Sequence, residues 1–227
     1  MKRKLLTTLL IVAASSASFA QVSFGPKLGL GISNMKDTKT SNGTGNTYTA
    51  IITPQIGAVL NVQFGDYVAL RPELLYIQRG SQSAGFGAVV TTRVSYIELP
   101  INVAGGLDLG PGRLEAFVGP SFGFVVGGKI KSDGGFYGTQ TYSVKGAKIP
   151  TSGANGNTAY VNPLNVSLNF GVDYKFDFGL LVQVGYNLGL SNMNPHYADS
   201  NDESNRSKDV TKASAVNISV AYLFGGK

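Results

Sequence analysis

The stretch NVSLNFGVDYKF (165–176) sets Val166, Leu168, Phe170, Val172 and Tyr174 on one parity, against Asn, Ser, Gly, Asp and Lys on the other. Alternation of this kind is the period of a strand whose two faces meet different environments. The same period recurs over Phe24 to Ile32, Ile56 to Phe64, Val68 to Tyr76, Ile97 to Val103, Leu114 to Phe124, Leu164 to Tyr174, Leu180 to Leu188 and Val216 to Phe224, which predicts eight strands. No helical periodicity stands out after residue 20, and no apolar run there is long enough for a spanning helix.

The links between these strands alternate in length. Short ones fall at Gly65-Asp66, across 105–112 and around Asp177; long polar ones cover about 34–49, 80–91, 128–162 and 191–212. Short and long links therefore lie at opposite ends of the strands, the arrangement of an outer-membrane barrel with tight periplasmic turns and longer extracellular loops.

The direction of the apolar face follows from size. An eight-stranded barrel has an interior just wide enough for side chains to fill, and the apolar parity is mostly bulky. The opposite parity carries Gly25, Gly29, Gly57, Gly119, Gly171 and Gly185 with Ser23, Asn61, Ser167 and Asn187, residues small enough for that interior. A soluble sheet would solvate its second face with Lys and Glu rather than glycine. The apolar face thus points to lipid, and the fold class expected is all-β, an eight-stranded antiparallel up-and-down transmembrane β-barrel, closed because open edges are not tolerated in a membrane. Phe64, Tyr67, Tyr174, Phe176, Phe178, Tyr222 and Phe224 gather at the short-turn end, where an interfacial girdle is expected. Six prolines in or beside strands, Pro26, Pro54, Pro72, Pro100, Pro120 and Pro163, each remove a ladder donor, with bulges as one way to absorb them.

The N-terminus changes the domain picture. Lys2, Arg3 and Lys4, an apolar Leu/Ile/Val run and Ser18-Phe19-Ala20 form a secretory signal peptide over 1–20, cleaved after Ala20, leaving 21–227 as the barrel domain. Loss of those three cations takes the formal charge from +6 to +3, which gives no reason to expect nucleic acid. There is no cysteine, hence no disulfide framework and no thiolate metal site.

Few charges sit on the inward parity: Lys27, Arg71, Glu73, Glu98, Arg113, Glu115, Asp173 and Lys175. Buried charges need partners, so these residues are expected to form a paired network plugging the lumen, with a proton or ion path as the alternative. Lys27, Arg71, Glu73 and Glu98 count to similar depth from the short turns. The longest loop, 128–162, holds Lys129, Lys131, Lys145 and Lys148 against Asp133 alone, interleaved with Tyr137, Tyr142 and Tyr160. Lys129, Lys131, Tyr137, Tyr142, Lys145 and Lys148 are its candidates for binding lipopolysaccharide phosphates or another anionic partner. Catalysis is not expected: the single histidine, His196, lies near Ser191, Asp199 and Ser200 in sequence without a framing motif. The run 199–209 lacks the ligand spacing of a calcium loop, and no cofactor or metal is expected.

GPKLGLGISN (25–34), RPELLYIQRG (71–80), YIELPINV (96–103), GPSFGF (119–124), FGVDYKF (170–176), GYNLGLSNM (185–193) and NISVAYLFGG (217–226) resemble the PorT-like outer membrane β-barrel family common in Bacteroidota. The likeness spans nearly the whole mature chain, and PELLY-Q-G with Y-IELP is its most specific part. The architecture looks like that of the OmpA and OmpX barrels. The resemblance implies a monomeric protein of the Gram-negative outer membrane, inserted by the barrel assembly machinery, with one subgroup serving a secretion apparatus. The chain departs from the pattern by ending Phe224-Gly-Gly-Lys instead of on an aromatic residue. The function expected is a structural or adhesive scaffold presenting surface loops to an extracellular ligand or to secretion-system proteins. A small porin is the alternative, and a membrane-embedded hydrolase stands behind it.

Overall fold

The computed structural model describes residues 21–37, 48–85, 87–136, 138–150, 156–195 and 210–225. All the regular structure among them is β: β1 (Gln21–Asp37), β2 (Tyr48–Thr49), β3 (Ile51–Phe64), β4 (Val68–Gly85), β5 (Ala88–Asp108), β6 (Gly112–Gly134), β7 (Gln140–Gly146), β8 (Thr158–Val161), β9 (Leu164–Phe176), β10 (Leu180–Gly189), β11 (Thr211–Tyr222) and β12 (Phe224–Gly225). Each of the eight expected strands is present, and the other four are short additions. The long strands pair antiparallel in the order β1, β3, β4, β5, β6, β9, β10, β11, and β11 pairs back to β1. The hydrogen-bonded circuit therefore returns to its start.

Tight turns join β3 to β4, β5 to β6 and β9 to β10, with Gly65, Gly110 and Gly179 at positive φ. Gly179 also accepts a backbone hydrogen bond from Leu223 at 2.8 Å, which fixes the C-terminal strand against that turn.

At the other end the strands run further than their apolar parity suggests. The expected loop 80–91 is instead a hairpin: β4 continues to Gly85, β5 begins at Ala88, and the ladder runs without a break from Gln78↔Ser95 to Gly85↔Ala88. The expected loop 128–162 likewise contains the end of β6 and all of β7 and β8, with Lys129↔Ser143 to Ser132↔Gln140 antiparallel and Ser143↔Thr158 to Gly146↔Val161 parallel. The short link 105–112 narrows to three residues, because Gly106↔Glu115 and Asp108↔Arg113 are already paired. In the first two places apolar and polar residues no longer sort cleanly between the two faces, so hydrogen bonding continues where the alternation fades.

Four of the six prolines, Pro26, Pro72, Pro100 and Pro120, interrupt a ladder without a bulge. The β3–β4 ladder steps from Val59↔Glu73 to Val62↔Leu70, β4–β5 from Pro72↔Ile101 to Leu75↔Glu98, and β5–β6 from Pro100↔Ser121 to Val103↔Val118. Each interruption spans two positions, contains Pro72, Pro100 or Pro120 respectively, and resumes in the same register. Pro26 does the same between Phe24↔Phe224 and Lys27↔Ala221. Each missing donor costs local pairing and leaves the alignment intact. The one register shift, between Ser95 and Tyr96, sets Tyr96 against Val125 and Ser95 against Gly127, leaving Val126 as the extra residue.

The faces are inverted relative to a soluble protein. Phe24, Leu28, Leu30, Ile56, Leu74, Val103, Leu114, Val172 and Ile218 are exposed, whereas Arg71, Glu115, Glu73 and Lys27 are buried at 0%, 1%, 3% and 4% relative accessibility. The interior is not uniformly polar, however. Met35, Leu75, Ile77, Val94, Tyr96, Val144, Met193 and Ala213 form an apolar cluster towards the long-link end, with Val144 delivered from β7. This layer was not anticipated, since the inward parity was expected to be small or polar there.

Candidate functional site: a buried ion-pair network

Strand alternation sends the charged parity of β1, β4, β5, β6 and β9 into one interior, and register decides who meets whom. Glu115 and Asp173 stand directly opposite each other on β6 and β9. Arg71 on β4 reaches between them, donating from Nη2 to Glu115 Oε2 at 2.5 Å and from Nη1 to Asp173 Oδ2 at 2.7 Å. Its third donor, Nε, meets Asn61 Oδ1 at 3.0 Å. A guanidinium with three aligned donors and no exposed surface suits this place, since its planar fork binds carboxylates with fixed geometry.

Lys27 pairs with Glu73 Oε2 at 2.6 Å and also donates to Gln183. Gln183 in turn accepts from Ser219 at 3.3 Å, and the other oxygen of Glu73 accepts from Asn102 at 3.4 Å. Glu98 lies higher, where it accepts from Arg79 Nη2 at 2.6 Å, from Ser121 at 2.7 Å and from Asn187 at 3.4 Å. Asn187 also bonds Ser167 and Asn169. Towards the tight turns, Arg113 Nε stands 3.1 Å from Glu115 Oε1, close enough to attract but not aligned for a hydrogen bond. The same side chain donates to the Gly106 carbonyl at 2.8 Å and meets Asp108 at 3.5 Å.

Seven of the eight inward charges singled out from sequence thus enter direct ion pairs with one another or with Arg79 and Asp108. Lys175 is half-buried opposite Arg113 in the ladder and lines the mouth beside it. Lys27, Arg71, Glu73 and Glu98 do not form one cluster at one depth: Lys27 takes Glu73, Arg71 takes Glu115 and Asp173, and Glu98 needs Arg79. Arg79 escapes the sequence reading because the third expected strand stops at Tyr76, although its odd parity continues that of Arg71 and Glu73.

Two spaces flank the network. An interior cavity of about 40 Å³ lies among Lys27, Glu73, Arg79, Glu98, Asn102 and Gln183. A vestibule of about 540 Å³ opens at the tight-turn end, lined by Asp66, Asp108, Arg113, Lys175 and Asp177. At about 10–15 Å³ of such space per water molecule, the inner cavity has room for only a few.

The loop candidates are placed differently from expectation. Lys129 and Lys131 lie on β6, and Tyr142 and Lys145 on β7, because the supposed loop is largely strand. Lys148 is exposed after β7. Tyr137 lies outside the described residues, as do His196, Asp199, Ser200, the run to 209, and the signal segment 1–20. Ser191 is described; its hydroxyl accepts from the Val166 backbone at 2.8 Å. Among the described residues no group of three or more His, Cys, Asp or Glu side chains is placed to hold a metal ion.

A strand circuit with exposed aliphatic and aromatic side chains outside and ion pairs within is the build of a membrane-embedded β protein. The chain belongs to the outer membrane protein β-barrel domain family, whose model matches residues 14–194. Two crystal structures of Ail, the attachment invasion locus protein of Yersinia pestis, are also similar. The complex with the heparin analogue sucrose octasulfate shares 11% identity over 90% of this chain and 99% of that one, with a TM-score of 0.41. The second shares 11% over 89% and 98%, with a TM-score of 0.39. No curated protein sequence matches the chain.

Proposed function

We propose that the chain forms an eight-stranded, antiparallel, up-and-down transmembrane barrel that serves as a closed scaffold in the outer membrane, presenting its outer segments to partners. Its tight turns and both ends of the strand circuit face the periplasm; Gln21 and Gly225 line the same vestibule, which supports placing the ends together. The observation that carries the closed state is Arg71, fully buried and tied to carboxylates from β6 and β9 across the interior. A passage for ions would have to part these pairs, each of which has been stripped of water and is strongly held. The apolar layer of Met35, Leu75, Val94, Tyr96 and Met193 adds a second obstruction. The setting is structural or adhesive, and the PorT-like resemblance favours a secretion or envelope assembly.

Planar-bilayer conductance of the refolded chain tests this, with heat-modifiable gel mobility as the measure of folding. A folded and electrically silent sample is the expected result. Discrete, salt-dependent steps would overturn the closed scaffold and establish the small porin in its place.

A further inference from the structure

On β1, β4 and β5 the outward face changes character beyond the apolar band. On β5, Ile101, Leu99 and Ile97 give way to Ser95 and Arg93; on β4, Leu74 and Tyr76 give way to Gln78 and Gln82; on β1, Leu30 and Ile32 give way to Asn34 and Lys36. Tyr76 Oη donates to Ser95 Oγ at 3.0 Å, which marks the edge of the apolar band. Just beyond that edge the outward residues are cations set against cations. Arg93 is directly opposite Lys129, and on another part of the circuit Lys36 is directly opposite Lys212. Lys131 and Lys145 extend the first pair onto β6 and β7, where Ser143 sits opposite Lys129.

Like charges directly opposite in a ladder destabilise it, yet two such pairs occur, Arg93 four residues beyond Ile97 and Lys36 four beyond Ile32. Among the described side chains the acid placed near the first pair is Asp133, which is occupied by Lys131 at 2.9 Å. Arg93 donates to the Ile52 carbonyl at 3.1 Å, a neutral partner.

Height above the apolar band indicates what lies against these cations. Arg93 lies four residues beyond Ile97 and Lys129 three beyond Val126, about 10–13 Å along strands that rise about 3.3 Å per residue. With a tilt of about 40° this becomes roughly 8–10 Å above the hydrocarbon edge, at or just beyond the outer limit of a headgroup layer about 5–8 Å deep, from where long cationic side chains reach back to it. We propose that Arg93, Lys129, Lys131 and Lys145, with Lys36 and Lys212 on the other wall, form a girdle that holds the phosphates of an acylated, phosphorylated glycolipid of the outer leaflet, whose chains lie on Ile97, Phe124 and Val126. This inference rests on the membrane placement proposed above, and it replaces a loop-borne anion site with one carried by paired strands.

The probe is bisphosphorylated lipid A in phosphatidylcholine nanodiscs, with the dephosphorylated disaccharide lipid and free inorganic phosphate as controls. Lipid retained on the folded protein after detergent extraction is counted by native mass spectrometry. The wild type is expected to retain the phosphorylated form at least tenfold over the dephosphorylated one, and R93Q/K129Q to lose most of that preference while keeping heat-modifiable mobility. K36Q/K212Q supplies the same reading should the first variant fail to fold. Equal retention of both lipids, unchanged preference in the folded variants, or full displacement by inorganic phosphate would overturn the girdle. Failure of the wild type to insert at all would instead overturn the membrane placement.

Discussion

Replacing Arg71 by methionine removes the cation from between two carboxylates and leaves a side chain of comparable length in an interior with no exposed surface at that point. Glu115 and Asp173, opposite each other in the β6–β9 ladder, would then face each other as like charges, and Asn61 Oδ1 would lose its donor at 3.0 Å. Breaking a buried ion pair by deleting one partner costs about 3–5 kcal/mol, chiefly because the other charge stays behind. Two carboxylates stay behind here, so R71M should fall at the upper end, a loss of roughly several thousandfold in the folding equilibrium. The assay is urea unfolding in lipid vesicles, followed by tryptophan-free far-UV dichroism and by the gel shift. R71M/E115Q/D173N is the informative companion, because neutralising an entire buried network is often close to energetically neutral. It should recover most of the loss. An R71M variant within about 0.5 kcal/mol of wild type, the range of ordinary surface substitutions, would refute the reasoning. So would a triple variant less stable than the single one.

R79M should cost about 3–5 kcal/mol by stranding Glu98, and R79M/E98Q should regain part of it in the same unfolding assay. Leu28→Arg, in the middle of the exposed apolar band of β1, is expected to destabilise by about 2–4 kcal/mol, whereas Asn34→Arg beyond the band should cost no more than about 1 kcal/mol; equal penalties would argue against the membrane placement. At Gly119 an added Cβ would come within 2.0 Å of the Ile101 carbonyl oxygen and 2.6 Å of Asn102 Cα, so Gly119→Val should give a protein that fails to show heat-modifiable mobility. P72V/P100V/P120V restores three ladder donors and should raise the urea midpoint, each bond adding about 0.5–1.5 kcal/mol; light scattering on dilution from urea without lipid should rise as well.

The eight strands were legible because lipid and a narrow interior sort side chains by opposite rules, and alternation records that sorting. Phe170 and Val172 against Asn169 and Asp173 show it plainly. Beyond the apolar band the contrast is lost: Gln78 and Gln82 point outward while Arg79 and Ser81 point inward, so the sequence there reads as loop although the ladder continues. The same loss of contrast concealed Arg79 and moved Lys129, Lys131 and Lys145 from loop to strand. Parity identified the charges that enter the interior, but register and depth decided their partners, and neither is written in composition. That Arg71 would hold two carboxylates follows only once β6 and β9 are aligned as Glu115↔Asp173. The apolar cap was hidden for a related reason, since Val144 joins Met35 and Tyr96 only after β7 folds along β6.

Pro72, Pro100 and Pro120 stand side by side on three successive strands, each opening a gap of two positions in the wall. Their consequence reaches back to the time before insertion. A chain destined for lipid must first cross water with its aliphatic strands unpaired, and matching runs of that kind are templates for fibrous association between copies. A proline in the middle of each such run denies a neighbouring copy an uninterrupted row of donors. Within the finished wall the remaining ladder on either side holds the register, so the same three residues that protect the travelling chain cost the assembled one only a few hydrogen bonds.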